Sequence, residues 1–343
     1  MLRTMNERAA RRFKRKTMAP GHYRAAAARA AAMEPARQPL ALGNVLLIVN
    51  PISGRGLAGK QVGTVMRHLE AACGRVTCRT TQSRGDAARF VTEAQAADAV
   101  FVLGGDGTVN EALHALVQGG PALGILPAGT GNVLAKEHGV PREPERAVRA
   151  LLHGEKILVD VALARGPSGE RRFAEMISAG VDAAAVEWIA RHRRGPMRMS
   201  HYVLAAAAVL GRKFGPLRVL ADGTLLTQDA VYAIATLTHA YGGPLQPVPW
   251  ADSSDGWLDV LTLDRYSPWQ FPLLLASAMA GRLARCRGVQ IARARRVVVE
   301  SATPVPVQCD GDLFGTTPFV ADIEPAQLTL IVPSRCPVRS SAK

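Results

Sequence analysis

Ala99-Val100-Phe101-Val102-Leu103-Gly104-Gly105-Asp106-Gly107-Thr108-Val109-Asn110-Glu111-Ala112-Leu113 decides the fold. Its first five residues are uniformly apolar, which predicts a strand buried on both faces. Ala112-Leu113-His114-Ala115-Leu116-Val117 reads as a helix. Between them, glycines let the backbone take positive φ and let a ligand approach without a Cβ in the way. Thr108 is placed to cap the helix, with Glu111 three residues on as in a capping box. The free amides and positive dipole end of the helix suit a phosphate. Asp106 would repel that phosphate unless Mg²⁺ stood between them, so the stretch reads as a nucleotide–metal turn.

Working outward, strands are expected at 45–50, 76–80 and 123–126, with helices over 57–72, 85–96, from 133, and over 145–152. This alternation implies a parallel sheet covered on both faces. Ligands of such sheets bind beyond the carboxyl ends of the strands. Asn50-Pro51-x-Ser53-Gly54, Thr81, Gly104–Thr108 and Gly129-Thr130-Gly131-Asn132 all fall at those ends, which predicts one shared site. Two commoner glycine patterns fail on their partners. Gly54-x-Gly56-x-x-Gly59 lacks the acidic residue that ends the second strand of a dinucleotide fold, where Thr80 and Thr81 stand. Gly54-x-x-x-x-Gly59-Lys60 carries Gln61 in place of the Mg²⁺-binding Ser or Thr of a P-loop.

The pattern changes near residue 157. Short apolar segments at 157–163, 172–177, 218–220, 230–237, 258–263, 296–300, 305–309 and 328–332 read as strands, and Asp222-Gly223 as a hairpin turn. Helices are expected at 183–193, 200–211 and 268–286. The expected division is a basic extension at 1–41, an α/β nucleotide-binding domain at 42–156, a mostly antiparallel β-sandwich at 157–333, and a tail at 334–343.

The chain of 343 residues carries a net charge of +14, which favours anionic partners. Much of that charge lies between Arg3 and Arg37, opposed by Glu7 and Glu34 alone. This segment has few aromatics, Phe13 and Tyr23, so no nucleic-acid partner is expected. Cys73, Cys78, Cys286, Cys309 and Cys336 show no CxxC spacing. That predicts neither a zinc site nor a disulfide framework, and fits a reducing cytoplasm. No apolar run reaches membrane-spanning length.

With these turns assembled, the chain resembles the diacylglycerol kinase catalytic-domain family of lipid kinases. The resemblance rests on Asn50-Pro51-x-Ser53-Gly54, Gly104-Gly105-Asp106-Gly107-Thr108-Val109-Asn110-Glu111, Pro127-x-Gly129-Thr130-x-Asn132 and Asp310-Gly311-Asp312, in that order. The second motif alone is shared with NAD kinases. The resemblance implies a doubly wound, NAD-kinase-like nucleotide domain followed by a β-sandwich, with the site between them. ATP would lie along Asn50, Pro51, Ser53, Gly54, Thr81, Gly104, Gly105, Asp106, Gly107, Thr108, Asn110, Glu111, Gly129, Thr130 and Asn132. Mg²⁺ would be held in the turn Asp252-Ser253-Ser254-Asp255-Gly256-Trp257, through the Asp255 carboxylate and the carbonyls of Asp252 and Trp257. Asp310 and Asp312 would supply the base, with Asp106 beside them. Asp312 stands where the family has Glu, which leaves the choice between the two open. If the chain stays extended there, their spacing puts both on one side, and close carboxylates raise each other's pKa.

The expected reaction is transfer of the γ-phosphate of ATP to a hydroxyl of a membrane lipid such as diacylglycerol. The enzyme would be cytoplasmic and peripheral, at the inner face of the membrane, touching anionic lipid transiently. A sphingoid or soluble acceptor, or a catalytically weakened nucleotide-binding protein, are the alternatives. A homodimer stays open. Trp188, Ile189, Tyr202, Val203, Leu204, Ala205, Leu210, Leu273 and Leu274 line either an acyl groove or ordinary core. Arg191, His192, Arg193, Arg194, Arg198, Arg212 and Lys213 meet either headgroups or water.

Overall fold

The structure is a computed structural model, and it describes residues 38–40, 42–116, 119–192, 195, 199–209, 211–242, 245–264 and 268–334. The basic start, the last residues from 335, Arg193, Arg194, Arg198, Leu210 and the side chains of Tyr202 and Val203 lie outside the described residues.

The first part runs β1 (Gln38–Pro39), β2 (Asn44–Val49), α1 (Ser53–Ala72), β3 (Arg75–Thr80), α2 (Asp86–Glu93), β4 (Ala99–Gly104), α3 (Asp106–Ala115), β5 (Ala122–Pro127), α4 (Val133–Glu137) and α5 (Pro144–Leu152). The rest runs β6 (Glu155–Gly166), β7 (Gly169–Phe173), β8 (Met176–Ala179), α6 (Val181–His192), α7 (Met199–Val209), β9 (Leu217–Ala221), β10 (Thr224–Ala230), β11 (Tyr232–Thr236) and β12 (Leu258–Leu263). It ends with α8 (Phe271–Met279), β13 (Val289–Ala294), β14 (Arg296–Ser301), β15 (Pro306–Cys309), β16 (Asp312–Thr316) and β17 (Phe319–Val332).

Strands β3-β2-β4-β5 pair in parallel in that order. β4 and β5 are buried along their whole length, as continuous apolar runs require. β3 is the edge, and its exposed Arg75, Thr77 and Arg79 suit an edge strand. Helices cover both faces: Val100, Val102 and Ile125 pack under α2 and α3, while Leu47, Phe101 and Leu126 pack under α1 and α5. The chain passes from β2 to β3 on one side, then crosses to β4 on the other. The switch point therefore opens between β2 and β4, where ligands of such sheets bind.

β17 joins this sheet to the second part. Near its end Leu330 and Ile331 pair in parallel with β5, while Val320–Glu324 and Leu328–Val332 pair antiparallel with β6. Its first half also pairs with β14, which leads to β9 and β10. The register slips between Glu324 and Leu328, where Pro325 interrupts the ladder. The second sheet, β13-β12-β11-β8-β15-β16, is antiparallel throughout. Phe173, Ile177, Leu217, Val260, Val299 and Phe319 form the sandwich core. Thus an α/β domain is followed by an antiparallel sandwich.

Three sequence expectations need correction. The strand expected at 172–177 is two strands, β7 and β8, parted at Ala174-Glu175. At the break the N–H groups of Ala174, Glu175 and Met176 turn to the Asp310 carboxylate instead of a continuous ladder. The helix expected at 268–286 is only α8, flanked by short 3₁₀ turns at Pro268–Gln270 and Leu283–Arg285; Gly281, at φ 63°, ends it. No strand is expected over 289–294, where β13 forms, because polar Gln290 and Arg293 hide the alternation.

Candidate active site

Asn50 leaves the end of β2 and bonds across the switch point. Its N–H donates to the Leu103 carbonyl at 3.0 Å, and its Nδ2 donates to Thr108 Oγ1, also at 3.0 Å. Thr108 is therefore not the helix cap. α3 starts two residues earlier, at Asp106, with Gly105 as an N-cap that offers no side chain. The tight turn at Gly104 is the cause: a Cβ there would lie 2.9 Å from that of Thr108. Glu111 also leaves the capping box, and its Oε2 accepts the Gly85 N–H at 2.9 Å.

Asp106 is explained without a cation. Its carboxylate accepts the N–H groups of Asn132 and Val133, each at 2.7 Å, and so caps α4. Asn132, at φ 50°, folds its own loop by accepting from Gly129 N–H and donating to Gly129 O. Most of the glycines serve packing between loops rather than a ligand. A Cβ on Gly54 would run into the Ala128 carbonyl, and one on Gly129 would lie 2.6 Å from Gly105 Cα. Gly56 and Gly107 instead face open space. Gly107 is exposed in the first turn of α3, where helix amides have no acceptor within the helix.

Ser53 N–H closes the Asn50 turn at 3.0 Å, and Pro51 O accepts from Gly59 N–H. The chain then takes left-handed backbone at Gly54, Arg55 and Gly56, with φ of 61°, 60° and 85°. Arg55 is the unusual member, a non-glycine residue with an exposed cation on the candidate phosphate loop. Sequence reading passed it over because arginine is not a turn former. Thr81 is buried with its hydroxyl directed at Val49 O, 3.4 Å away, whereas Thr130 is exposed.

Asp310 and Gly311 form the β15–β16 turn, at φ 47° and 79°. The chain is thus not extended there, and the two carboxylates diverge. Asp310 points inward. Its Oδ1 accepts from Glu175 and Met176 N–H and its Oδ2 from Ala174 N–H, at 2.8–3.0 Å. Burial pushes its pKa up to about 7 against those three bonds. Burial, then, raises it, rather than Asp312 as the spacing suggested. Asp312 lies at the rim, 3.0 Å from Arg84 and 3.9 Å from Arg171. Asn110 Nδ2 donates to the Asp310 carbonyl at 3.1 Å, which ties α3 to the acidic turn.

Glu175 is the group sequence reading missed. It is fully buried, and burial, then Asp310 and Asp106, hold its pKa well above the carboxylate range. Its one sequence signal was a charge inside an apolar run. Asp160 is the other: buried, it accepts from Ala326 N–H at 2.8 Å and Gly256 N–H at 2.7 Å, joining the β17 slip to the 252–257 turn.

That turn was expected to hold Mg²⁺. Asp255 instead pairs with Arg293, whose Nε also lies 3.4 Å from Asp259. Asp252 Oδ1 accepts from the Ser254 N–H and hydroxyl. Arg295 sits 4.9 Å over the Trp257 ring. A guanidinium already supplies the positive charge, so the donor set as arranged does not fit a second cation. No group of three or more His, Cys, Asp or Glu side chains is arranged for a metal among the described residues.

Known proteins agree with this architecture. Residues 44–164 match the family model described as the diacylglycerol kinase catalytic domain, and residues 175–332 the YegS C-terminal NAD kinase beta sandwich-like domain. A Mycobacterium tuberculosis diacylglycerol kinase is 31% identical over 297 residues, covering 85% of this chain and 96% of that one. The chain belongs to the diacylglycerol kinase catalytic-domain family. It is an enzyme of the lipid kinase class. A Bacillus subtilis diacylglycerol kinase is 25% identical over 279 residues, 79% of this chain and 90% of that one. A solved diacylglycerol kinase structure from Bacillus anthracis, 23% identical, superposes with a TM-score of 0.68 over 86% of this chain and 98% of that one, and shows the same fold.

The kinase divides its expected acceptor residues. Ile189 and Ala205 are core, Leu274 is half-buried, and Leu204 and Leu273 are exposed. Its basic set is partly neutralised: Arg191 and Arg212 both pair with Glu187, at 2.8 and 3.2 Å, and His192 stacks on Trp188. No helix among the described residues of the kinase is long and apolar enough to cross a membrane.

Proposed function

We propose that this kinase moves the γ-phosphoryl group of MgATP to a hydroxyl of a membrane lipid, diacylglycerol first, giving phosphatidic acid. The observation that carries the reading is the Asn110–Asp310 hydrogen bond, which sets a phosphate-type helix start beside a buried carboxylate of near-neutral pKa. The names of the relatives support the lipid acceptor.

In this reading residues 42–156 bind the nucleotide and residues 157–333 the acceptor. The triphosphate lies over Ser53–Gly56, the α3 start at Gly107, and the Gly129–Asn132 loop. Arg55 and the first amides of α3 meet its oxygens. Asn50, Thr108, Asn110, Glu111, Asp106 and Asn132 fix the loops by the bonds given above, so they position rather than touch. Asp312 holds Arg84 and Arg171 at the cleft mouth, where cations stabilise charge on a transferring phosphoryl group. The acceptor oxygen forms its bond to the γ-phosphorus as the bond to the β–γ bridging oxygen breaks and ADP leaves. The hydroxyl proton passes to Asp310. The acceptor is drawn from a bilayer, so the enzyme works as a peripheral protein at the cytoplasmic face of the membrane.

Labelled ATP with a total bacterial lipid extract in mixed micelles tests this. The expected result is one labelled lipid, absent with Asp310→Asn. ATP binding without any labelled lipid would overturn the reading and favour a soluble acceptor.

A further inference from the structure

α8 is apolar around its whole circumference, with Ser277 as its one polar side chain. Its inner face is accounted for: Leu274 and Ala278 pack on Val248, Ala251 and Leu261. Its outer face is bare. Leu273 is 66% exposed, Met279 52%, and Trp269 in the turn before the helix 92%. A helix apolar on all sides belongs in apolar surroundings, and a contiguous exposed patch of this kind marks a contact surface. Nine residues are too few to cross a bilayer.

The ends of the patch say what covers it. Trp269 flanks one end, and exposed Arg282 and Arg285 follow the other. Neither arginine takes part in an ion pair among the described residues. Arg287, next along, shares a pocket with Asp229 and Asp264 and is left out of the argument. A Trp at one rim and unpaired arginines at the other are side chains that anchor an apolar segment at a membrane interface. The two unpaired arginines make this end of the patch locally positive, which points to an anionic surface. The cluster under α8 also contains Met176, whose N–H holds the Asp310 carboxylate.

We propose that α8, with Trp269, Leu273 and Met279, seats in the headgroup–acyl boundary of an anionic bilayer, with Arg282 and Arg285 on the lipid phosphates. This deepens the lipid-kinase reading and rests on it for the purpose of docking. The docking itself is measurable without catalysis.

The test is co-sedimentation of the full chain with phosphatidylglycerol–phosphatidylcholine vesicles, beside Leu273→Glu/Met279→Glu and Arg282→Gln/Arg285→Gln. Circular dichroism melting serves as the folding control. Wild type binds, and binding weakens as salt rises. The Glu pair weakens binding at least about ten-fold, from the lost burial of two large apolar side chains. The Gln pair weakens binding at low salt and makes its salt dependence shallower. Phosphorylation of a short-chain, monomeric diacylglycerol stays unchanged in both, while phosphorylation of vesicle-borne substrate falls. Wild-type binding equal to that of the folded Glu pair would overturn the proposal. So would a concentration-dependent dimer in wild type that the Glu pair abolishes without change in vesicle binding. Vesicle binding lost in the Glu pair, with no lipid phosphorylated by wild type, would uphold docking and overturn the lipid-kinase reading instead.

Discussion

The Arg84 guanidinium, from the loop before α2, lies 3.0 Å from the Asp312 carboxylate at the start of β16. One group comes from the nucleotide-side sheet and the other from the sandwich, so the pair spans the proposed cleft. Both side chains are largely exposed, and exposed pairs couple by ~0.2–1 kcal/mol. Arg84→Ala is therefore expected to leave the melting temperature nearly unchanged. Where Arg84 also meets the transferring phosphoryl group, kcat falls by more than that coupling accounts for, about ten-fold. Asp312→Asn falls less. A double mutant no worse than Arg84→Ala confirms that Asp312 acts through Arg84, while additive losses would refute it.

Asp310 sets the pH dependence. Its pKa is raised to about 7, chiefly by burial, and a base works only when ionised. Activity should rise with pH through about 7 and level off above it, and fall away below. Stability runs the other way: the folded state holds the proton more tightly than the unfolded chain, so stability falls as pH rises from about 4 to 7. Asp310→Asn should abolish transfer. It also places an NH₂ where at least one of three backbone N–H groups needs an acceptor, at a cost of about 1–3 kcal/mol. Rate profiles and melts across pH 5 to 9 check both signs. A pH-independent rate in wild type would remove Asp310 as the base.

Arg55 separates strain from binding. Its φ of 60° costs an L-residue roughly 1–2 kcal/mol. Arg55→Gly should therefore stabilise the protein by up to about 1 kcal/mol and yet raise the KM for ATP about ten-fold, through loss of the cation. Arg55→Lys should keep much of the affinity. Isothermal titration with ATP, paired with melting curves, reads the two effects apart. An unchanged KM in the glycine variant would make Arg55 a loop residue only.

The fold was legible because β2, β4 and β5 are unbroken apolar runs, each followed by glycine or Asn-Pro turns at the carboxyl edge. Those same turns come together at the carboxyl edge of the sheet. What stayed hidden depends on contacts distant in sequence. Thr108 looks like a cap until Asn50, 58 residues earlier, takes its hydroxyl. Asp106 looks like a metal ligand until α4 folds onto it. Asp310 and Asp312 look like neighbours until positive φ at Asp310 and Gly311 turns one inward and the other outward. Glu175 is invisible from composition, since only burial between Asp310 and α4 makes its charge costly.

Arg293 carries the last prediction. On β13 it faces Asp259 on β12, pairs with Asp255, and lies 5.8 Å over the Trp257 ring. Burial raises the pKa of both acids, that of Asp259 to about 7, and Arg293 opposes the shift in each. Removing one partner of a buried pair leaves charge uncompensated and costs about 3–5 kcal/mol. Arg293→Met should thus lower the melting temperature sharply at neutral pH. The loss should shrink as pH falls and the two carboxylates take up protons. Millimolar Mg²⁺, added without nucleotide, should leave wild-type stability unchanged but partly rescue Arg293→Met by replacing the guanidinium. Wild-type melting that rises with Mg²⁺ and drops with EDTA would show instead that a cation displaces Arg293 from the turn, restoring the metal site at Asp252, Asp255 and Trp257.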